Sequence, residues 1–276
     1  PMFEKVNMYH PDKLADRIAG ALVDLAYSED DAPKIAVEVL LGHGRATVIA
    51  ETSVTLADEA VAAAVRRIAG DVELHFTQVP QDTHLSRNQR DGVRCGDNGV
   101  FAAKWNPDYA RATELAKRFG TRFPYDGKYL FDFQDETATI CQSNAPIEEI
   151  EAFPGLVGFK RYTINPIGDW TGGPDTDTGC TNRKLGSDQP FCNPNGLHGK
   201  DLSKADVSMS IYLNALSRKN GGAFVTAYCS IGDSAVNILV DGNPIPPVPF
   251  DSIVEYARDY IRDLGGFEKF AEYGMV

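Results

Sequence analysis

Residues 10–53, HPDKLADRIAGALVDLAYSEDDAPKIAVEVLLGHGRATVIAETS, decide how the chain is read. Pro11 suits the first helical position. Leu14, Ile18, Ala21, Leu22 and Leu25 then recur at helical spacing and give one apolar face. His10, Asp12 and Lys13 stand at the helix start, outside that stripe. Ile35, Val37, Val39 and Leu41 alternate along a strand, Gly42-His43-Gly44 turns, and residues 45–53 return as its hairpin partner. Glu38 points away from Val37 and Val39, and Glu51 ends the return strand. Acids are disfavoured in strands, so two of them call for an explanation beyond edge exposure.

Further along, Thr55 with Asp58 reads as a capping box for a helix carrying Val61, Val65 and Ile68, stopped by Gly70. Val72, Leu74 and Phe76 alternate as another strand. Residues 78–99 are polar and glycine-rich and read as one long loop. The same order then recurs. Asn106-Pro107 opens a helix through Leu115 and Phe119, stopped by Gly120, and strands follow near 129–133 and 138–141. A short helix over 147–153 and a strand over 159–164 complete the stretch. Asp201 opens a third such helix, with Met209, Tyr212, Leu213 and Leu216 on one face. Residues 223–230 and 236–240 pair, and Asp251 caps a last helix carrying Ile253, Ala257, Ile261 and Leu264.

The expected class is α+β: three pseudo-symmetric repeats, each a small mixed sheet with covering helices. The units span 1–100, 101–165 and 166–276 and are intertwined, not independent.

With 43% hydrophobic and 24% charged residues, the 276-residue chain can build a sizeable core. A net charge of -12 argues against nucleic acid as a partner. No apolar run is long enough for a membrane span. The start of the chain lacks an apolar targeting core, and Pro1 ahead of Met2 reads as a remnant of expression. Cys95, Cys141, Cys180, Cys192 and Cys229 are odd in number and lack CxxC spacing. They read as reduced thiols of a cytoplasmic protein, not as a disulfide frame or zinc site.

Neither a Walker loop, a Rossmann fingerprint, GxSxG nor HExxH occurs. What remains is charge in loops and at element ends. The polar stretch 172–184, GGPDTDTGCTNRK, ends on Arg183-Lys184 and reads equally as a solvated loop or as an anion site. Lys200 and Lys204 stand four apart near a helix start, where cations are unfavourable unless an anion binds there. Asp12 either complements a helix dipole or ligates a hard cation.

Taken together, HPDK at 10–13, Glu38, Glu51, GDNG at 96–99, YDGK at 125–128, INPIGDWTGGPDTDTGCTNRK at 164–184 and GKDLSKAD at 199–206 resemble S-adenosylmethionine synthetase (methionine adenosyltransferase). The order of the motifs agrees over nearly the whole chain to about residue 241. The resemblance implies a compact, divergent transferase of one-carbon metabolism that makes S-adenosyl-L-methionine from ATP and L-methionine. It implies Mg²⁺ (two ions) and K⁺, and a homodimer with active sites at the subunit interface, with pairing into a dimer of dimers left open.

By the same resemblance, His10, Lys128, Arg183, Lys184 and Lys200 contact the ATP phosphates and carry catalysis. Asp126, Trp170 and Asp177 complete the ATP site. Glu51, Asp97, Asp177 and Lys204 serve methionine. Asp12 and Asp206 hold Mg²⁺, and Glu38 holds K⁺. Departures accompany it. Asp169-Trp170 replaces the family's Arg-Phe, GDNG replaces GDQG, the gating loop is short, and Gln81 or Gln89 stands for its methionine-contacting glutamine. A non-catalytic nucleotide-binding homologue, a regulatory partner of a synthetase, and a triphosphate hydrolase with a changed acceptor are the alternatives.

Overall fold

Three antiparallel hairpins organise the computed structural model, which describes residues 2–89, 92–191 and 195–275. In chain order the elements begin with β1 (Met2–Val6), α1 (Pro11–Glu29), β2 (Ile35–Gly42), β3 (Arg45–Thr52), α2 (Asp58–Ala69), β4 (Glu73–Pro80) and α3 (Thr83–Asn88). There follow β5 (Gly99–Ala103), α4 (Pro107–Arg122), β6 (Gly127–Asp132), β7 (Thr137–Gln142), α5 (Ile147–Glu151), β8 (Arg161–Ile164), β9 (Thr178–Cys180) and α6 (Leu185–Asp188). The last are α7 (Ala205–Lys219), β10 (Val225–Cys229), β11 (Ala235–Val240), β12 (Asn243–Pro244), β13 (Val248–Pro249), α8 (Phe250–Leu264) and α9 (Phe267–Tyr273).

The strands form sheets ordered β4-β3-β2-β9, β1-β6-β7-β8 and β12-β11-β10-β5, with β13 also on β11. Each sheet takes a short strand from outside its hairpin's own stretch: β9 on β2, β1 on β6, β5 on β10. Strands β4 and β8 run parallel to β3 and β7. A parallel neighbour needs a crossover, and α2 and α5 provide it. The fold is thus α+β with covering helices; two sheets are mixed, and the third, expected to be mixed as well, is antiparallel throughout.

Helix α1 is buried from Pro11 to Val23, on more than the one face its apolar stripe marks. Helix α9 covers a second side, so closely that a Cβ on Gly20 would lie 2.6 Å from the Phe267 carbonyl oxygen. A second core forms under α4, where Phe119 stacks on Tyr129 at 4.7 Å. No helix among the described residues is long and apolar enough to cross a membrane.

Several local expectations are corrected. Thr55 is not a cap: α2 starts after Ala57, which makes no side-chain cap bond, and Asp58 and Glu59 serve its first turn electrostatically. Residues 78–99 are not one loop. Strand β4 extends to Pro80, and Asp82 caps α3 by accepting from the amides of His84 and Leu85. Helix α4 runs through Gly120, which faces the Tyr273 hydroxyl where a Cβ would sit at 2.7 Å. Asp201 does not start α7; its carboxylate accepts from the Ile35 and Ser203 amides, and the helix begins four residues later. Asp251 lies in the first turn of α8, one residue past Phe250, instead of capping it. Cys95, Cys141, Cys180 and Cys229 are free thiols, and Cys192 lies outside the described residues.

Candidate active site

The N-terminus of α1 gathers the first group. His10 is the N-cap, its Nδ1 accepting from the Asp12 amide at 3.1 Å, with Pro11 in the first turn. Strand β9 crosses directly over this turn. A Cβ on Gly179 would fall 2.1 Å from the Pro11 carbonyl oxygen, so only glycine lets the backbones approach. That approach lets the Cys180 amide donate to Asp12 Oδ1 at 2.8 Å. The chain then turns and brings Lys184 Nζ to Asp12 Oδ2 at 2.6 Å, with the Arg183 guanidinium 3.8 Å from Oδ1.

Burial works to raise the Asp12 carboxyl, yet the hydrogen bonds from Lys184 and the Cys180 amide hold it below its ordinary value. Burial, then the Lys184 and Lys128 charges, push His10 down to about 4, against the pull of Asp12. His10 is therefore neutral near pH 7, a hydrogen-bonding group and not a cation. Asp126 precedes β6 and takes the Gly173 amide. Burial first, with Asp177 and Asp12 nearby, raises it to about 7 despite Lys184. Lys128 follows it on β6, half-exposed and 3.4 Å from Glu4.

Trp170 closes one end. Its indole donates to Asn165 Oδ1 at 3.2 Å, and its ring lies so near Gly172 that a Cβ there would collide at 2.5 Å. A shallow cavity of about 330 Å³ opens beside the ring, lined by Asn144, Ala145, Pro146, Asp169 and Thr171. Asp169 is exposed at its rim.

A second group lies on the other side of residues 181–184. Glu38 accepts from the Thr181 hydroxyl and pairs with Lys200 Nζ at 3.3 Å. Asp206 is raised by burial first and by Asp97 and Glu38, against Lys200 and Lys204. The Asp97 turn is fixed here because the Gly96 amide donates to the Ser203 carbonyl at 3.1 Å. Lys200 and Lys204 do not share a helix face: Lys200 bridges to Ala36, and Lys204 is the N-cap residue of α7. Glu51 lies opposite Ala36 on the open face of the first sheet, taking the Asp82 amide at 3.2 Å. Of the two candidate glutamines, Gln81 adjoins Asp82 beside Glu51, whereas Gln89 is tied to Arg94 through both ends of its amide.

Behind both groups is a buried cluster that the sequence reading missed. Asp16, Asp188 and His198 offer ligand atoms within 4.8 Å of one another and could hold a metal ion. Lys13 Nζ already stands among them, 2.7 Å from Asp188, 3.1 Å from Asp16 and 3.4 Å from His198. Although burial opposes its charge, Asp188 and Asp16 hold the Lys13 ammonium above its ordinary value. The cluster thus supplies its own cation. The group around one expected Mg²⁺ ligand, Asp12, fits a hard cation better, whereas the other, Asp206, lies in the second group near Lys200 and Lys204. Asp12, Asp126 and Asp177 are oxygen donors within electrostatic reach of one another, and the raised Asp126 favours any nearby positive charge. At the expected K⁺ position, the Lys200 ammonium stands against Glu38.

Comparison with known proteins follows the same lines. Residues 2–86 match the sequence model of the S-adenosylmethionine synthetase N-terminal domain. The chain is 29% identical to S-adenosylmethionine synthase of Hyphomonas neptunium, over 83% of this chain and 75% of the relative. It is 26% identical to that of Rhizorhabdus wittichii, over 95% and 85%. An unusual S-adenosylmethionine synthetase from Campylobacter jejuni superimposes with a TM-score of 0.76 at 17% identity, covering 100% of this chain and 94% of that one. The chain has the S-adenosylmethionine synthetase fold and is related in sequence to that family.

Proposed function

We propose that the protein transfers the adenosyl group of ATP to L-methionine. The observation that carries this reading is the convergence of Lys184 and Arg183 on Asp12 at the N-terminus of α1, with His10 held neutral as its cap. Cations gathered at the positive end of a helix suit a polyphosphate. The thioether sulfur gives its lone pair to C5′ of the ribose, and the C5′–O bond breaks with its electrons passing to tripolyphosphate. The product is a sulfonium. Water then cleaves the tripolyphosphate to pyrophosphate and phosphate.

A thioether carries no proton to remove, so the site needs alignment and charge stabilisation, not a general base. Arg183, Lys184, Lys128 and Lys200 hold the phosphates. Trp170 stacks the base, and Asp177 takes the ribose or the methionine amine. Glu51 suits the methionine ammonium, Lys204 its carboxylate. Mg²⁺ held by Asp12 and Asp206 would neutralise the departing triphosphate, and K⁺ is assigned to Glu38.

The site is completed by a second copy of the chain. Leu40, Ile49 and Val79 stay exposed on the sheet face that carries Glu38 and Glu51. A two-fold dimer through that face would bring the Glu51 and Asp97 side of one copy to the His10 side of the other. The three hairpin units are read as pseudo-repeats, and the free thiols fit a cytoplasmic setting.

Incubation with ATP, methionine, Mg²⁺ and K⁺, followed by mass spectrometry, tests the proposal. S-adenosylmethionine is the expected product. ATP binding with no product would favour a non-catalytic homologue. Tripolyphosphate hydrolysis without transfer would point to a changed acceptor.

A further inference from the structure

Asn182 touches neither group of charges, yet it ties residues 181–184 both to α1 and to the segment that leads to Lys200. Its amide donates to Asp16 Oδ1 at 2.8 Å, fastening residues 181–184 to α1. Its Oδ1 accepts from the amides of Leu197 and His198 at 2.8 and 2.9 Å, and its Nδ2 donates to the His198 carbonyl at 3.2 Å. These three bonds fasten the segment that leads to Lys200. Both anchors are themselves immobilised. Asp16 is held by Lys13, and His198 Nε2 lies 2.8 Å from Asp188, all within the buried cluster. Asn182 sits at φ 63°, a left-handed conformation that asparagine tolerates better than most residues. Its neighbours are Thr181, which binds Glu38, and Arg183-Lys184, which face Asp12.

We infer that Asn182 is a positioning residue that fixes the spacing between Arg183-Lys184 and Lys200, and so shapes the chain's grip on a polyphosphate. The inference rests on the proposed reading of the site. It predicts that Asn182 matters for the triphosphate end of the substrates and not for the methionine end. Glycine at 182 adopts the same backbone freely and removes only the side-chain ties. A serine truncation is too short to reach either amide and serves as a second variant.

The test measures binding of inorganic tripolyphosphate with Mg²⁺ by calorimetry, well below the melting temperature of each variant, together with KM for ATP and for methionine. Asn182→Gly and Asn182→Ser are each expected to weaken tripolyphosphate binding about tenfold, or about 1.4 kcal/mol. KM for ATP should rise in parallel while KM for methionine stays within about twofold. In a Lys184→Ala background the further loss from Asn182→Gly should shrink to less than about threefold, because the spacing being fixed has lost one of its ends. Tripolyphosphate affinity equal to the parent's overturns the role. So does an undiminished loss in the Lys184→Ala background with methionine KM rising alongside, which marks general loosening. If the parent chain itself does not bind tripolyphosphate, the reading of the site fails first, and this inference with it.

Discussion

Replacing Asp126 by asparagine should make the ligand-free protein more stable at pH 8, because the native fold buries a carboxylate there at a cost. Asp126 is 5% exposed and accepts the Gly173 amide. Burial, with Asp177 and Asp12 nearby, raises it from 3.8 to about 7. A carboxyl raised on folding favours the native state below its unfolded value, and that contribution is lost as pH rises through the folded value. Three units of displacement correspond to about 4 kcal/mol at pH 8, and to about 2 kcal/mol at pH 5, where the folded group is protonated but the unfolded one is ionised. Asparagine keeps the shape and an oxygen for Gly173, and Lys184 retains Asp12. Urea unfolding of parent and Asp126→Asn at both pH values reads the difference directly. The variant's advantage should approach 4 kcal/mol at pH 8 and fall by about half at pH 5. A variant no more stable than the parent at pH 8, or an advantage independent of pH, would refute the reasoning. The same substitution should weaken Mg²⁺–ATP binding more than tenfold, because an amide cannot offset a cation's charge.

Lys184→Ala should lower turnover by about a hundredfold or more, with an unchanged far-UV circular dichroism spectrum; turnover near the parent's would remove Lys184 from the phosphate site. His10 lies depressed at about 4 against 6.5 for a free imidazole. Its contribution is thus present above about 6.5 and lost as pH falls through about 4, roughly 3 kcal/mol in full. His10→Asn, which still caps α1, should flatten that acid-side loss in urea titrations, and an unaltered pH slope would exclude His10 as its source. Trp170→Ala should cost about 1–3 kcal/mol of ATP affinity while leaving KM for methionine within twofold, checked by calorimetry and kinetics; equal losses for both substrates would place the ring elsewhere than on the base.

The hairpins and long helices were legible because each carries a periodic apolar pattern along its length. Residues 35–42 and 45–52 fall within one residue of their expected bounds. The strands that join the sheets were not legible. Strand β9 is three residues, Thr178–Cys180, with Gly179 at its centre, and its pairing to β2 is a backbone affair that leaves no alternation to read. Strand β1 fits the same description: its partner β6 lies more than a hundred residues away, and no local signal names it. The helix starts drifted where acids did other work. Asp201 looks like a cap in sequence, yet its carboxylate holds the Ile35 and Ser203 amides. At the site, exposed charges at element ends were legible because nothing in a core explains them. Asp16 was passed over because it lies beside the apolar stripe of α1 and becomes buried only when α9, Asp188 and His198 close over it.

A chain with net charge -12 must bind a tetra-anionic substrate on this reading, and the arrangement of pairs explains how it can. The cations face the protein's own acids: Lys184 is on Asp12 at 2.6 Å, Lys200 on Glu38 at 3.3 Å and Lys128 on Glu4 at 3.4 Å. Each pair is a satisfied contact, so neither partner is left as an unpaired charge. On the proposed reading, a metal-bound triphosphate would exchange partners with them: the ammonium groups would turn to phosphate oxygens, leaving the carboxylates to a cation. Unlike charges are traded for unlike charges, so the net charge of the protein never opposes the step. Asp126 stands outside these pairs. Its carboxylate accepts the Gly173 amide, burial raises it, and a divalent ion nearby would favour its charged form. Its ionisation should therefore couple metal binding to pH, with affinity for Mg²⁺ falling below about pH 7 as the proton competes for the carboxylate.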